Sequence, residues 1–329
     1  MKSAIELFAS RFAPPALKNG GAVAVSSLTG SADAFLALAL AGDSKFVLAV
    51  TPGLPDADRL ADDLGILAAN PSPGAKRKAP LPVRILEFPP LLDGDRNALG
   101  VRLKTVSAIK AWSLSPYPCV VVASFPALST PVPKGSVPAL SLGSDKVRFV
   151  DVCAKLAEMG YGRVPTVEKP GDYSIRGGIV DAWSPGEEFP VRAEFFGDDL
   201  ESLRRFEAAT QRSIERIESA TLLPAEERTA PEDGPSQRRT TLLDLLPHGS
   251  TVLALEHNEY SLAAIADGAD GAPSTFVYTG DPAPRGVPTY AFQTSPLPGF
   301  AELGADEAHH PELFDAARRR LDQHLAARL

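Results

Sequence analysis

Ten residues near the start of the chain, Ser26 to Phe35, follow a strand-like run and open a helical pattern, the position a phosphate-binding loop would hold. Such a loop needs GxxxxGK[ST]: glycines let backbone N–H groups approach the phosphates, Lys meets the β and γ phosphates, and Ser or Thr holds Mg²⁺. The segment SSLTGSADAF has Asp33 in place of the Lys and Ala34 in place of the hydroxyl. A carboxylate instead of an ammonium costs on the order of several kcal/mol of phosphate affinity in a partly desolvated site. We therefore expect no ATP binding, no ATPase activity and no cofactor.

The residues assigned to this degenerate, inactive nucleotide loop are Ser27, Thr29, Gly30, Ser31, Ala32, Asp33 and Ala34. Ser27 and Ala32 stand where the two glycines of the pattern would be. An alternative is that the segment was never a nucleotide site and is a helix N-terminus capped by Ser31. Both interpretations predict that the chain does not bind ATP.

A second group of residues suits protein binding. The run from residue 191 to 196 has the pattern of a β-strand, whose side chains alternate between two faces. The two faces are Val191, Ala193 and Phe195 on one side, and Arg192, Glu194 and Phe196 on the other. Arg and aromatic residues on one strand face are typical anchors of protein interfaces. The alternative is that Arg192 pairs with Glu194 or Asp181 and that a loop covers Phe196.

The remaining polar residues do not form a pattern that predicts catalysis or a metal site. The five histidines, late in the chain in loops or near helix ends, are His248, His257, His309, His310 and His324. Asp181 stands inside an apolar strand run, so we expect Arg or backbone donors to hold it in a structural role. Cys119 and Cys153 lie in apolar contexts without ligand spacing and are expected to be buried, reduced thiols.

Repeated βα units extend from residue 20 to about 130, where strands alternating with helices predict a parallel, doubly wound sheet. The predicted strands are Ala22–Ser27, Phe46–Val50, Val83–Phe88 and Cys119–Ala123, and the predicted helices are Ser31–Ala41, Leu54–Leu64 and Val101–Trp112. The same alternation of strands and helices is predicted late in the chain. Its strands are Thr251–Leu255, Thr275–Tyr278 and Tyr290–Phe292, with a helix through Leu262 and a last helix from about Pro311.

The sequence between these two parts has a different pattern of predicted helices and strands. One helix, with Phe149, Val152, Leu156 and Met159 at helical spacing, precedes a β-meander in which Gly177-Gly178 indicates a bulge or a close backbone approach. The predicted domains are 1–138, the first part of an α/β domain; 139–226, an inserted interaction domain; and 227–329, the second part of the α/β domain. The predicted fold class is α/β: a discontinuous, degenerate P-loop-type, doubly wound parallel sheet interrupted by an α+β domain with a β-meander.

The meander carries a resemblance to a known family. Its segments RGGI-D, P-R-EFFGD and TQRS are similar, at matching spacings, to the UvrB-homology module at the N-terminus of the bacterial transcription-repair coupling factor, Mfd. The similarity is strongest from Gly160 to Glu227, and it is weaker but collinear from residue 20 onward. It implies the interrupted domain arrangement and a module without a working Walker motif.

The resemblance also implies a partner, the damage-recognition protein UvrA, and a function in transcription-coupled nucleotide excision repair. The family's contact residues match Arg176, Arg192 and Phe196, with Glu194 and the Gln211-Arg212 pair as supporting members. In a full-length parent, RNA polymerase and double-stranded DNA are expected to bind domains outside this chain, and a translocase motor is expected beyond Leu329. The alternative is a DNA-handling module like UvrB, but residues 1–116 contain no Tyr and FPPLLDGDRNALGVRL has no aromatic cluster for stacking bases.

Composition limits the function classes in the same direction. The chain has 329 residues and 44% hydrophobic residues, enough for two or three domains with their own cores. Its net charge of −8 argues against broad attraction to nucleic acid. Two basic runs, Lys76-Arg77-Lys78 and Arg318-Arg319-Arg320, are expected to be solvated. Without a signal sequence or membrane-spanning run, the expected location is the cytoplasm.

Overall fold

The computed structural model describes residues 21–26, 28, 31–42, 45–69, 83–133, 135–143, 147–226, 240–256, 273–279 and 287–291. The strands are β1 Gly21–Ser26, β2 Phe46–Thr51, β3 Arg84–Phe88, β4 Cys119–Ser124, β5 Leu140–Leu142, β6 Gly162–Arg163, β7 Asp172–Arg176, β8 Ile179–Ala182, β9 Val191–Phe196, β10 Asp199–Phe206, β11 Ser213–Arg216, β12 Ala220–Leu222, β13 Ser250–Ala254, β14 Pro273–Thr279 and β15 Thr289–Ala291. The α-helices are α1 Ala32–Leu40, α2 Leu54–Ala69, α3 Arg96–Trp112, α4 Phe125–Leu128 and α5 Phe149–Glu158, and a 3₁₀ helix spans Leu243–Leu245.

The largest sheet has seven strands in the order β15-β1-β14-β13-β2-β4-β3, and all its pairings are parallel. Every residue of β2, β4 and β13 is buried, as expected for parallel strands covered on both faces. The sheet therefore combines strands that precede the meander with strands that follow it.

Two hydrophobic cores lie on opposite faces of this sheet. Val47 and Ala49 of β2 pack with α1 and α2, whereas Phe46 and Leu48 pack with α3, α4 and the 3₁₀ helix. Successive strand residues thus serve different cores, which is the arrangement of a doubly wound sheet.

The β-rich region forms a second sheet of six strands in the order β11-β10-β9-β8-β7-β6, with β6–β7 as its parallel pair. A separate two-stranded sheet pairs β12 with β5. Helix α5 buries Val152 and Leu156 in a third core that includes Val180 and Ala193 of the six-stranded sheet. The coarse prediction of an α/β protein with a parallel sheet and a separate β-rich region is confirmed.

Several predicted boundaries change in the structure. Helix α2 continues to Ala69 rather than ending at Leu64, because Ala68 extends its buried face. Helix α3 begins at Arg96 rather than Val101, because Asp95 accepts a hydrogen bond from the Ala98 N–H at 2.9 Å and caps the helix. The predicted helices through Leu262 and from Pro311 lie outside the described residues. Among the helices that are described, none combines the length and apolar character needed to cross a membrane.

Candidate functional site

Strand β9 places side chains on two different surfaces, as its alternating sequence predicts. Val191 and Ala193 are buried, and Phe195 makes an edge-to-face contact with Phe149 of α5 at 5.6 Å between ring centroids. Arg192, Glu194 and Phe196 lie on the opposite face of the six-stranded sheet. Helix α5 therefore packs against the apolar face of β9 and not against the face that carries Arg192.

Asp181 lies at the centre of that second face. Strand pairing sets it opposite Arg192 on β9, and its side chain is 1% exposed. Its Oδ1 accepts from Arg192 Nε at 2.7 Å, and its Oδ2 accepts from Arg192 Nη2 at 2.8 Å and Arg176 Nη2 at 2.7 Å. The expectation that arginines hold Asp181 is confirmed, and the carboxylate satisfies the requirement that a buried charge be paired.

Arg192 pairs with Asp181, as the alternative interpretation of the strand predicts, and it is largely enclosed. Its guanidinium group lies 4.6 Å from the centre of the Phe206 ring, Nη1 donates to the Gln211 carbonyl at 3.4 Å, and its side chain is 16% exposed. The hydrogen bonds to Asp181 raise the pKa of Arg192 above its ordinary value, although burial acts in the opposite direction. Charge reversal at Arg192 would place a carboxylate beside the buried carboxylate of Asp181, so we expect it to destabilise the fold.

Arg176 and Phe196 are the outward-facing members of the predicted set. The side chain of Arg176 is 51% exposed despite its ion pair with Asp181. Phe196 is 76% exposed at the end of β9, just before the β9–β10 turn at Gly197, where φ is +63°. No loop of the described residues covers Phe196, in contrast to the alternative interpretation of the sequence.

Glu194 connects this region to the neighbouring strand. It accepts a hydrogen bond from Ser202 Oγ at 2.5 Å, and its Oε2 is 3.6 Å from Arg204 Nη2. Sequence reasoning overlooked Arg204, although the β9–β10 pairing sets it directly opposite Arg192. We name the surface formed by Arg176, Arg192, Glu194, Phe196 and Arg204 the arginine–phenylalanine face.

The two glycines of RGGI fix the position of this face. Gly177 has a φ of +61°, and the pair forms the two-residue turn between β7 and β8, so the expected bulge is a hairpin instead. The expected close approach is present: a Cβ on Gly178 would lie 2.5 Å from the Phe195 carbonyl oxygen. The Phe195 N–H donates to the Gly178 carbonyl at 2.8 Å, so the turn holds β9 immediately beside Phe196.

The predicted supporting residues behave differently from each other. Gln211 has a φ of 60°, and its side-chain amide donates to the carbonyls of Ala208 and Val167 at 2.7 and 3.3 Å. It thereby fixes the carbonyl that accepts from Arg192. Arg212 has an exposed side chain and belongs to the surface rather than to this support.

A separate acidic crevice lies at the carboxyl ends of β2 and β13. Its charged lining residues are Asp33, Asp56, Arg59, Asp63 and Glu256, so four carboxylates face one guanidinium group. Burial, reinforced by Glu256 and Asp63 and opposed by Arg59, raises the pKa of Asp33 to about 6. The crevice repels rather than attracts a phosphate group.

The loop predicted to be degenerate is only partly described. Ser27, Thr29 and Gly30 lie outside the described residues. Ser31 precedes α1, but its side chain makes no capping hydrogen bond, which contradicts the capping interpretation of that residue. Ala32, Asp33 and Ala34 form the first turn of α1, with Ala34 buried.

The two thiols differ in burial. Cys119 is fully buried within β4, and burial raises the pKa of its thiol to about 12. Cys153 is only partly buried, so the expectation of buried thiols holds for Cys119 but not for Cys153. Both thiols are free.

Comparison with known proteins finds a family model that matches the β-rich region. Residues 140–227 match the family model of the UvrB interaction domain, a range that contains the whole arginine–phenylalanine face. A transcription-repair-coupling factor of Bacillus subtilis is 31% identical over 212 residues, covering 62% of this chain and 17% of that protein. The corresponding factor of Mycobacterium tuberculosis is 41% identical over 107 residues, covering 32% of this chain and 9% of that protein. That of Escherichia coli is 41% identical over 73 residues, covering 22% of this chain and 6% of that protein.

These similarities confirm the predicted resemblance to the N-terminal module of a transcription-repair coupling factor. The chain aligns with less than a fifth of the length of each of these relatives. The residues of the arginine–phenylalanine face remain candidates for contact with a partner.

Proposed function

We propose that this chain is a protein-interaction module of a transcription-repair coupling factor, and that its arginine–phenylalanine face recruits UvrA in transcription-coupled nucleotide excision repair. The observation that carries the proposal is Phe196, a large aromatic side chain that is 76% exposed on the same sheet face as the half-exposed Arg176, within the matched UvrB interaction domain. An exposed aromatic and an arginine on a rigid strand are typical anchors of a protein interface. RNA polymerase and double-stranded DNA are partners of the whole coupling factor rather than of this face.

The chemistry of the face favours a protein partner over DNA. Arg176 and Arg204 are cations with half-exposed side chains, but Glu194 pairs with Arg204 and is itself partly exposed. A carboxylate within the contact area would oppose a phosphate backbone, whereas a protein surface can supply a donor for it. Phe196 fits an apolar pocket on such a surface.

Truncation of Phe196 tests this function. We expect Phe196→Ala to weaken UvrA binding by at least tenfold, the effect of losing an interface anchor of about 2 kcal/mol. The melting temperature should stay the same, because the side chain makes few contacts within the chain. Calorimetric titration of UvrA into the wild type and the variant gives the two dissociation constants.

The matched control is Leu114→Ala, which removes an apolar side chain that is 89% exposed in the α/β part of the chain. Its affinity for UvrA should equal that of the wild type. Wild-type affinity in Phe196→Ala, with the control unchanged, would show that the binding surface lies elsewhere.

We further propose that the α/β part is a P-loop-type domain that has lost its nucleotide site, built from residues 1–138 and 227–329 around an inserted domain at 139–226. The acidic crevice supports this proposal, because it occupies the carboxyl edge of the parallel sheet where doubly wound folds bind ligands. Its four carboxylates would repel the phosphate groups of a nucleoside triphosphate.

A fluorescent ATP analogue with Mg²⁺ tests the loss of the nucleotide site. We expect no saturable binding up to millimolar concentrations, because Asp33 and its acidic neighbours repel the phosphates. Saturable micromolar binding by the wild type, lost when Ser31 and Asp33 are both changed to Ala, would contradict the proposal.

A further inference from the structure

We infer that Asp181 is a positioning residue for partner recognition: its buried carboxylate, which Arg192 orients, holds the guanidinium group of Arg176 in one orientation, ready to meet a carboxylate group of the partner protein. The inference rests on the proposed function of the arginine–phenylalanine face. It assigns that role to a side chain that is 1% exposed, so Asp181 acts through Arg176 rather than by touching the partner.

The number of donors around Asp181 exceeds what its burial requires. Arg192 alone donates to both carboxylate oxygens, through Nε at 2.7 Å and Nη2 at 2.8 Å, and provides one positive charge for one negative charge. Arg176 adds a second donor to Oδ2 at 2.7 Å. With two arginines and one aspartate, the cluster keeps one net positive charge at the surface.

Arg176 does not need this hydrogen bond to replace lost hydration, because its side chain is 51% exposed. An exposed arginine that is held in one conformation gives up rotamer freedom before any partner arrives. Only Nη2 of Arg176 is engaged with an acceptor among the described residues, so Nε and Nη1 each keep N–H donors that can bind separate acceptors of a partner. N–H donors held in fixed directions suit carboxylate acceptors on a partner.

The other contacts make the cluster rigid. Arg192 is fixed further by the Phe206 ring at 4.6 Å and by the carbonyl of Gln211, whose own side chain is held by two backbone carbonyls. Asp181 is therefore oriented by Arg192 and in turn orients Arg176. Binding to a side chain that is already ordered avoids the entropy loss that a mobile arginine would suffer on association.

Asp181→Asn tests this role in the full chain, because Asn keeps the size of the side chain but removes its charge. We expect UvrA to bind about tenfold more weakly, since Arg176 must then be ordered on association. In an Arg176→Ala background the same change should cost about threefold or less. Equal losses in the two backgrounds, or wild-type affinity in folded Asp181→Asn, would overturn the inference.

Two controls separate the possible causes. Glu215→Gln neutralises the carboxylate of another ion pair in the same sheet, with Arg205, and should leave affinity unchanged. Phe196→Ala reports on the proposed function itself: if it weakens UvrA binding while Asp181→Asn does not, only the positioning role fails. If the wild type shows no UvrA binding, the proposed function fails.

A measurement on the wild type tests the positioning role of Asp181 even if Asp181→Asn does not fold. In arginine side-chain NMR spectra of the free chain, we expect hindered rotation of the guanidinium groups of Arg176 and Arg192. The exposed side chain of Arg212 provides the rapidly averaging reference. An Arg176 signal that averages like that of Arg212 would overturn the inference, because the group would then be mobile before binding.

Discussion

Two enclosed carboxylates of this chain have opposite surroundings. Asp181 receives hydrogen bonds from two arginines, whereas Asp33 faces Glu256 and Asp63 with Arg59 as its opposing charge. For Asp33 the result is a pKa raised to about 6, with burial as the largest cause. The first carboxylate organises a candidate binding surface, and the second makes its crevice unfavourable for anions.

The raised pKa of Asp33 predicts how stability depends on pH. Its pKa of about 6 in the folded chain exceeds the ordinary aspartate value of 3.8, so protonation of Asp33 favours the folded state. That contribution is fully present below the unfolded pKa and is lost as the pH rises through the folded value. At pH 7.5 Asp33→Asn should therefore stabilise the chain by about 1–2 kcal/mol, after allowance for solvent screening, and the gain should disappear near pH 4.

Urea unfolding of the wild type and Asp33→Asn between pH 4 and pH 8 measures this difference. Asp93→Asn neutralises a carboxylate in an exposed turn and serves as the control, with little expected change at any of these pH values. A gain for Asp33→Asn that is the same at pH 4 and pH 7.5 would contradict ionisation of Asp33 as its cause.

At the scale of the elements, apolar runs and alternating patterns in the sequence predict the strands and their faces better than they predict contacts between individual residues. The runs of β2 and β4 indicate buried parallel strands, and the alternation of β9 assigns Arg192, Glu194 and Phe196 to one face. The end of α2 was harder to predict, because Gly65 suggests a stop although the buried face continues beyond it. Helix propensity is a weak guide where tertiary packing decides.

The candidate site required strand pairing that the sequence pattern does not contain. Asp181 meets Arg192 only through the register of β8 against β9, and Arg204 enters the face only through the register of β10. The acidic crevice depends on the crossover that brings Glu256, after β13, beside β2 and α1. A pattern along one segment predicts which residues share a face, but pairing between segments decides their partners.

At the scale of the whole molecule, α3 connects the two sheets. Val106 and Ile109 belong to a core of the seven-stranded sheet, whereas Leu99 and Leu103 pack with Leu223 at the end of the β-rich region. Lys104 Nζ lies 2.8 Å from the Glu187 carboxylate. Among the described residues, α3 therefore contacts both the core of the parallel sheet and the β-rich region.

Gly100 allows the closest part of this contact. A Cβ on Gly100 would lie 2.0 Å from the Pro185 carbonyl carbon and 2.2 Å from its oxygen, so backbone would have to move. We expect Gly100→Ala to push the 185–186 turn away and to loosen the packing of Leu99 and Leu103 against Leu223. The net loss of stability should be about 1–3 kcal/mol, despite the better helix propensity of Ala. Calorimetric melting should then show two transitions in place of a single one.

Gly65→Ala is the matched control, because Gly65 also lies inside a helix but a Cβ there would meet nothing within 4 Å. That change should stabilise the chain by about 0.5–1 kcal/mol through helix propensity alone. Residues 139–226, expressed alone, should melt cooperatively at the temperature of one of the two Gly100→Ala transitions, because their own core contains α5 and the six-stranded sheet. A single wild-type-like transition in Gly100→Ala, or a non-cooperative melt of the isolated segment, would show that the proposed inserted domain does not fold as a separate unit.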